Sequence, residues 1–173
     1  DLYVACDFSE PDYYWLNQGD GTFRNRTLES FLHISNFSMG ADVGDWDNDG
    51  LPDLVVVDMM SKDNRRSKTN MSGMDTEAFW ENVDLNRHYQ YMQNVLQHNN
   101  GNGAFSDLAE MAGVSKTDWS WSPLLADLDN DGWKDLLVSN GIRKDIRNND
   151  FSKKIWNGSY IRCWRMQKYS SIK

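Results

Sequence analysis

Two aspartate-rich segments constrain the fold more than any other feature of this chain. Residues 45–53 read Asp-Trp-Asp-Asn-Asp-Gly-Leu-Pro-Asp, and residues 127–135 read Asp-Leu-Asp-Asn-Asp-Gly-Trp-Lys-Asp. Both have the pattern D-x-D-x-D-G-x-x-D and run directly into apolar, strand-forming residues. Four carboxylates within nine residues repel one another unless a cation lies among them. The two segments therefore predict two cation-binding loops, each leading into a β-strand.

The spacing assigns a role to each position of these loops. Alternate aspartates offer side-chain oxygens, the seventh residue offers its backbone carbonyl, and the ninth residue closes the shell. The glycine makes a sharp turn with positive φ. An oxygen shell of this kind suits Ca²⁺ better than Mg²⁺, so we predict two Ca²⁺ sites. The predicted ligands are Asp45, Asp47, Asp49, the Leu51 carbonyl and Asp53 in the first loop, and Asp127, Asp129, Asp131, the Trp133 carbonyl and Asp135 in the second.

Two alternatives compete with a calcium loop between strands. Asn-Gly and Asp-Gly pairs form hairpin turns without any metal, although two copies with all four aspartates matched favour a metal. An EF-hand needs a glutamate at its twelfth position and a helix on each side. The twelfth positions here are Val56 and Val138, and both lie in strand-forming segments. The sequence therefore favours calcium loops that join strands.

A second motif repeats at the same distance from the loops. Residues 17–23 read Asn-Gln-Gly-Asp-Gly-Thr-Phe, and residues 99–105 read Asn-Asn-Gly-Asn-Gly-Ala-Phe. Phe23 and Phe105 each lie 22 residues before the first aspartate of the next loop. The equal spacing of two motif types indicates an internal repeat. We expect both phenylalanine rings to pack in the core between structural units.

The repeat length points to an all-β fold. Asp1 begins a segment similar to those that start at Asp53 and Asp135, so it is a candidate closing residue of a further loop. Repeats of about 50 residues made of short strands and Gly/Asp turns are typical of a β-propeller with one blade per repeat. The chain is thus predicted to hold about two full blades and a partial one, as a fragment of a larger propeller.

The second repeat contains an insertion at about residues 60–92. The closing aspartates lie 52 residues apart in the first interval and 82 in the second. Within the insertion, the apolar spacing predicts a helix that begins after Asp75 as N-cap and continues to Met92. Insertions in repeat proteins often carry partner recognition, and an equally favoured role for this helix is simply to cover a sheet edge.

Composition argues against several function classes. The net charge is −8, and the acidic residues concentrate in residues 1–142, which argues against a nucleic-acid partner. The last 31 residues carry 9 basic and 2 acidic groups, which is typical of a solvated face. Because no apolar run reaches 18 residues, no membrane span is expected. Cys6 and Cys163 do not make a disulfide framework, and their pairing stays open.

No catalytic pattern stands out. His33, His88 and His98 are scattered without triad or metal-site spacing, and structural roles are favoured for all three. The chain is therefore predicted to be non-catalytic. The alternative is a polysaccharide-degrading enzyme or its appended module, which would need two carboxylates in a pocket outside the loops. Trp119 and Trp121 could form a platform for a sugar, with core packing as the competing interpretation.

These motifs resemble the FG-GAP/VCBS repeat of integrin-α-like propellers. The chain is similar in particular to the bacterial ASPIC/UnbV, or cartilage-acidic-protein-like, group of VCBS proteins. The resemblance covers residues 1–151 and implies a secreted or cell-surface protein with structural Ca²⁺. It also implies adhesion or binding of a protein or glycan, with the remaining blades supplied by the parent protein. Residues 152–173 form an unassigned tail. The closer resemblance rests on residues 57–59, 63–66, 91–94, 96–97, 112–115, 117–124 and 140–145.

Overall fold

The computed structural model describes residues 1–8, 10–70, 75–141 and 167–169. Short strands dominate these residues. The strands are β1 Leu2–Val4, β2 Tyr13–Asn17, β3 Phe23–Asn25, β4 Ile34–Ser35, β5 Gly40–Gly44, β6 Asp53–Val57, β7 Gln90–Tyr91, β8 Val95–Asn99, β9 Phe105–Asp107, β10 Ser120–Ala126, β11 Asp135–Asn140 and β12 Gln167–Tyr169. The helices are α1 Thr27–Ser30, α2 Asn64–Asn70 and α3 Thr76–Asp84.

The strands form three antiparallel sheets and one short parallel pair. The central sheet has four strands in the order β5-β6-β8-β9. A three-stranded sheet, β1-β2-β3, precedes it in the chain, and a second three-stranded sheet, β10-β11-β12, comes after it. The parallel pair joins β4 to β7. This strand-rich architecture agrees with the predicted all-β class, and β12 is the only described part of the tail at residues 152–173.

The first sheet and the central sheet contain the same hydrogen bond at equivalent positions. The Asn17 N–H donates to Asp1 Oδ1 at 2.9 Å, and the Asn99 N–H donates to Asp53 Oδ1 at 2.8 Å. Asp1 therefore occupies in the first sheet the position that Asp53 occupies in the central one. The internal repeat predicted from the spacing is thus present in the backbone as well as in the sequence.

Strand β6 explains the uninterrupted apolar run after the first loop. All five of its residues are buried. Because alternate side chains of a strand point to opposite faces, β6 contributes to two separate core layers. Val55 and Val57 pack toward the sheet that contains β10 and β11, whereas Leu54 and Val56 pack toward β1, β2 and α1. The central sheet therefore lies between two layers, and neither face of β6 meets water.

The two repeated phenylalanines differ, which corrects one expectation. Phe105 is buried against Tyr14 and Phe31, which belong to the preceding unit. Phe23 is 50% exposed. The reason is that no second repeat among the described residues packs on Phe23, whereas the rings of Tyr14 and Phe31 cover Phe105.

The insertion is less helical than predicted, because the predicted helix does not reach Met92. Asp75 caps α3 as expected, accepting hydrogen bonds from the next turn, but the helix ends at Asp84. Asn86 and His88 have positive φ values of 57° and 73°, which a continuous right-handed helix does not allow. The chain then forms β7, and Met92 is buried. Pairing with β4 therefore overrides the local helical spacing.

No helix among the described residues has the length and apolar character needed to cross a membrane.

A buried carboxyl ties the end of β6 to the turn after β4. Asp58 Oδ2 accepts hydrogen bonds from the Ser35 hydroxyl at 2.7 Å, the Asn36 N–H at 3.2 Å and the Phe37 N–H at 3.0 Å. Burial raises the pKa of the Asp58 carboxyl to about 6, although these donors lower it in part. The proton on this group is therefore linked to the stability of the fold.

This linkage predicts a pH effect on stability. Between pH ~4 and pH ~6 the folded protein retains a proton on Asp58 that the unfolded chain has lost. The contribution of Asp58 to the free energy of unfolding therefore falls as pH rises, by about 3 kcal/mol in total. We expect the unfolding free energy of the wild type, measured by denaturant titration, to decline relative to Asp58→Asn from pH 4 to pH 7. A wild-type-minus-variant difference that is constant over this range would contradict the assignment.

Candidate metal centres

The two aspartate loops connect β5 to β6 and β10 to β11, and they have the same backbone conformation. Asn48 and Asn130 both have a φ of 60°, while Gly50 and Gly132 have φ values of 88° and 89°. Asparagine and glycine adopt this left-handed region more readily than other residues. The positive φ predicted for the two glycines is confirmed.

Backbone N–H groups hold the first aspartate of each loop in place. Asp45 accepts hydrogen bonds from the N–H groups of Asp49 at 3.1 Å and Gly50 at 3.0 Å. Asp127 accepts the equivalent two bonds in the second loop at the same distances. The loop thus folds around its own carboxylates and turns their oxygens toward a common centre.

Three carboxylates converge in each loop. One oxygen from each of the three alternating aspartates lies within 4.8 Å of the other two. Oxygen donors at this spacing fit a hard divalent cation, and the remaining coordination positions are left to backbone carbonyls and water. The structure therefore brings together six of the predicted ligands, in two groups: Asp45, Asp47 and Asp49, and Asp127, Asp129 and Asp131.

The closing aspartates occupy a different position from the other three. Asp53 and Asp135 are buried at the starts of β6 and β11. Asp53 Oδ2 accepts from the Trp46 N–H at 3.2 Å, and Asp135 Oδ2 accepts from the Leu128 N–H at 3.1 Å. Among the described residues, neither belongs to the three-carboxylate group of its own loop. Their role as closing ligands stays a prediction, as do the roles of the carbonyls of residues 51 and 133.

A histidine approaches the first loop from a neighbouring strand. His98 lies on β8, and its Nδ1 atom is 3.4 Å from Asp47 Oδ2 and 3.2 Å from Asp53 Oδ1. The sequence reasoning missed this residue because strand pairing, not local spacing, brings it to the loop. The sequence did contain a signal for this residue. His98 directly precedes Asn99, the first residue of the second copy of the turn motif that Asn17 begins in the first copy.

Electrostatics at the first loop favour a cation. Burial raises the pKa of the Asp53 carboxyl, the backbone N–H groups of Asn99 and Trp46 lower it in part, and the charge of Asp47 raises it further. A positive ion beside Asp53 would favour its charged form and relieve this cost.

The two loops also contact each other. The Asn48 side chain donates a hydrogen bond to the Gly132 carbonyl at 3.0 Å. The neighbouring sheets are joined nearby by a bond from the Leu125 N–H to Asp42 Oδ2 at 2.7 Å. The predicted sites therefore lie side by side on one edge of the structure.

The tryptophan pair does not form the sugar platform considered from the sequence. Trp119 is buried, as the core interpretation required. Trp121 is 44% exposed, and its Nε1–H donates to the Gly141 carbonyl at 2.7 Å. The two rings differ in burial because Trp119 precedes β10 and the register of the β10–β11 pair shifts between Ser120 and Ser122, which breaks the regular alternation of a strand.

The turn glycines allow a test of the loop conformation. A Cβ atom at Gly50 meets open space, so the cost of a substitution comes from the backbone alone. We expect Gly50→Ala to lower the free energy of unfolding in EDTA by about 1–2 kcal/mol. Gly50→Asn should cost less, because asparagine tolerates positive φ. Denaturant titration would measure both, and equal losses for the two variants would contradict the left-handed turn.

Comparison with known proteins identifies one family. The sequence profile of the FG-GAP-like repeat matches residues 1–56 and 82–138, together more than half of the chain. The unmatched stretch between them contains α2 and most of α3. No curated protein matches the chain.

Proposed function

Because the chain belongs to the FG-GAP-like repeat family, we propose that it is a non-catalytic, calcium-stabilised β-propeller module. It belongs to a secreted or cell-surface protein and binds a protein or glycan partner. On this proposal the central sheet is a complete four-stranded blade. The two three-stranded sheets are parts of adjacent blades, and the parent protein supplies the rest of the ring.

The observation that carries the proposal is the identity of the two aspartate loops. Each loop joins two antiparallel strands, turns at a positive-φ glycine and gathers three carboxylates within 4.8 Å. Without a cation, three such charges repel one another at the start of a buried strand. The proposed Ca²⁺ ligands are Asp45, Asp47, Asp49, the Leu51 carbonyl and Asp53, and Asp127, Asp129, Asp131, the Trp133 carbonyl and Asp135.

The proposed role of Ca²⁺ is structural. Bound Ca²⁺ supplies positive charge that offsets carboxylate repulsion. Extracellular modules bind Ca²⁺ with Kd values of about 10⁻⁴–10⁻³ M. At millimolar Ca²⁺, linkage then stabilises the fold by roughly 0.4–1.4 kcal/mol per site. This modest gain suits a compartment rich in Ca²⁺, and FG-GAP repeats are typical of extracellular proteins.

The proposed recognition surface is the insertion, where aromatic rings gather outside the core. Phe79 on α3 contacts Trp80, Tyr89 and Tyr91. The side chain of Trp80 is 54% exposed, and both tyrosines are also exposed. Exposed aromatic rings with a polar edge suit contacts to sugars and to protein side chains. The family profile leaves residues 57–81 unmatched, and these include Phe79 and Trp80. This part of the insertion is therefore an addition to the repeat that the profile describes.

We also assign the chain to the ASPIC/UnbV, or cartilage-acidic-protein-like, group of these repeats. This finer assignment rests on the sequence segments that surround the two loops and the insertion, for example residues 117–124 and 140–145.

The calcium proposal predicts a metal-dependent melting temperature. Two sites of the strength given above should raise the melting temperature by about 2–10 °C when 1–2 mM Ca²⁺ replaces EDTA. Asp49→Asn and Asp131→Asn should each remove about half of this shift, and the double variant should remove all of it. The exposed Asp84→Asn is the matched control, because it changes the net charge equally outside the loops.

The variants should behave differently in EDTA. Removing one charge from a crowded loop relieves repulsion, so Asp49→Asn and Asp131→Asn should melt in EDTA no earlier than the wild type. Calorimetry would measure these values. A wild-type melting temperature that is the same in Ca²⁺ and EDTA would rule out structural calcium.

The partner proposal predicts binding that depends on the insertion. We expect a glycan or protein screen in Ca²⁺ to yield a ligand whose affinity falls at least tenfold in Trp80→Ala. Melting of the variant should be unchanged within about 2 °C, because the Trp80 ring is exposed. Wild-type affinity in Trp80→Ala would place recognition elsewhere on the module.

A further inference from the structure

We propose that Asp47, Asp53 and His98 form a site for a divalent transition-metal ion such as Zn²⁺, which shares two carboxylates with the first calcium loop and differs from it by a nitrogen ligand. The three residues each offer one ligand atom, and these atoms lie within 4.8 Å of one another. Zn²⁺ and other divalent first-row transition-metal ions bind well to a set of two carboxylate oxygens and one imidazole nitrogen, whereas Ca²⁺ takes oxygen ligands. The inference does not depend on calcium binding by either loop.

The geometry around the imidazole fits a metal better than it fits a hydrogen bond. His98 Nδ1 lies 3.2 Å from Asp53 Oδ1 and 3.4 Å from Asp47 Oδ2. Neither contact has hydrogen-bond geometry, and the buried Nδ1 atom has no hydrogen-bond partner within the described residues. Neighbouring ligands of a tetrahedral ion with bonds of 2.0–2.1 Å lie about 3.3–3.4 Å apart. An ion between the three groups would use the nitrogen lone pair that the protein itself leaves unpaired.

The protein holds these ligands in place before any metal arrives. Asp53 is fully buried, and its two oxygens are oriented by the N–H groups of Trp46 and Asn99. The Trp46 ring packs edge-to-face against the imidazole at 6.2 Å between centroids. His98 itself is fixed on β8, which pairs with β6 next to Asp53. These supports orient the donor atoms as second-shell contacts do in metal proteins.

The second loop provides an internal comparison. The chain contains three histidines. His33 pairs with Asp107, and His88 lies against the Phe31 carbonyl, so neither approaches the second loop. In the first repeat, the position that corresponds to His98 is Leu16. Among the described residues, a histidine nitrogen therefore approaches only the first loop, and the proposed ion competes there with Ca²⁺ because Asp47 and Asp53 are also proposed Ca²⁺ ligands.

Metal titration of the full chain after EDTA treatment and dialysis tests the proposal. We expect Co²⁺ to produce visible d–d absorption with one equivalent bound, and we expect Zn²⁺ to displace it. His98→Gln should weaken Zn²⁺ binding, measured against a chromophoric chelator, by at least about tenfold. The matched variants His33→Gln and Asp129→Asn should bind Zn²⁺ as the wild type does. Wild-type Zn²⁺ affinity in His98→Gln would overturn the site.

A second measurement needs no variant. Long-range ¹H–¹⁵N spectra of the wild-type imidazoles should show a large Zn²⁺-induced shift for His98 and none for His33 or His88. Shifts that are equal for all three histidines, or absent for His98, would overturn the site.

Melting of His98→Gln in Ca²⁺ and EDTA separates the two proposals. If His98→Gln loses Zn²⁺ binding but its melting temperature still rises in Ca²⁺, both proposals are supported. If the wild type binds Zn²⁺ but its melting temperature is the same in Ca²⁺ and EDTA, only structural calcium is rejected.

Discussion

Mutual repulsion of aspartates at the bends between strands governs how this protein is built. Each loop concentrates charge at the entrance of a strand whose side chains are largely buried. Backbone N–H groups within each loop offset part of this repulsion, because they donate hydrogen bonds to the first carboxylate. A glycine with left-handed φ allows the chain to turn around that carboxylate. The remaining negative charge leaves both loops suited to a cation.

The first loop matters because it leads into the strand at the centre of the fold. Strand β6 begins at Asp53 and supplies apolar side chains to both of the core layers. A displaced bend would shift the register of β6, and a shift of one residue would exchange its two faces. The loop therefore sets the alignment of three sheets, while Asp58 fixes the other end of the same strand. The insertion begins after Asp58 and ends before β8, and β6 and β8 still pair directly with each other.

Much of this arrangement could be predicted from local sequence. The nine-residue pattern indicated both loops and their glycine turns, and the 22-residue spacing indicated the repeat that the hydrogen bonds of Asp1 and Asp53 display. Predictions failed where distant residues decide the outcome. The helix after Asp75 stops at Asp84 because β7 pairs with β4, and Phe23 is exposed because no second repeat among the described residues covers its ring. Periodicity within one segment carries no information about such partners.

Local sequence was sufficient to establish which residues carry charge at the bends, where the chain turns and which segments are apolar on both faces. These properties depend on neighbours within a few residues. The approach of His98 to Asp47 and Asp53, the contact of Asn48 with the second loop and the burial of Trp119 became visible only in three dimensions. Those contacts join segments that are far apart in the chain, and their distances are set by sheet pairing and packing between sheets, which no local spacing encodes.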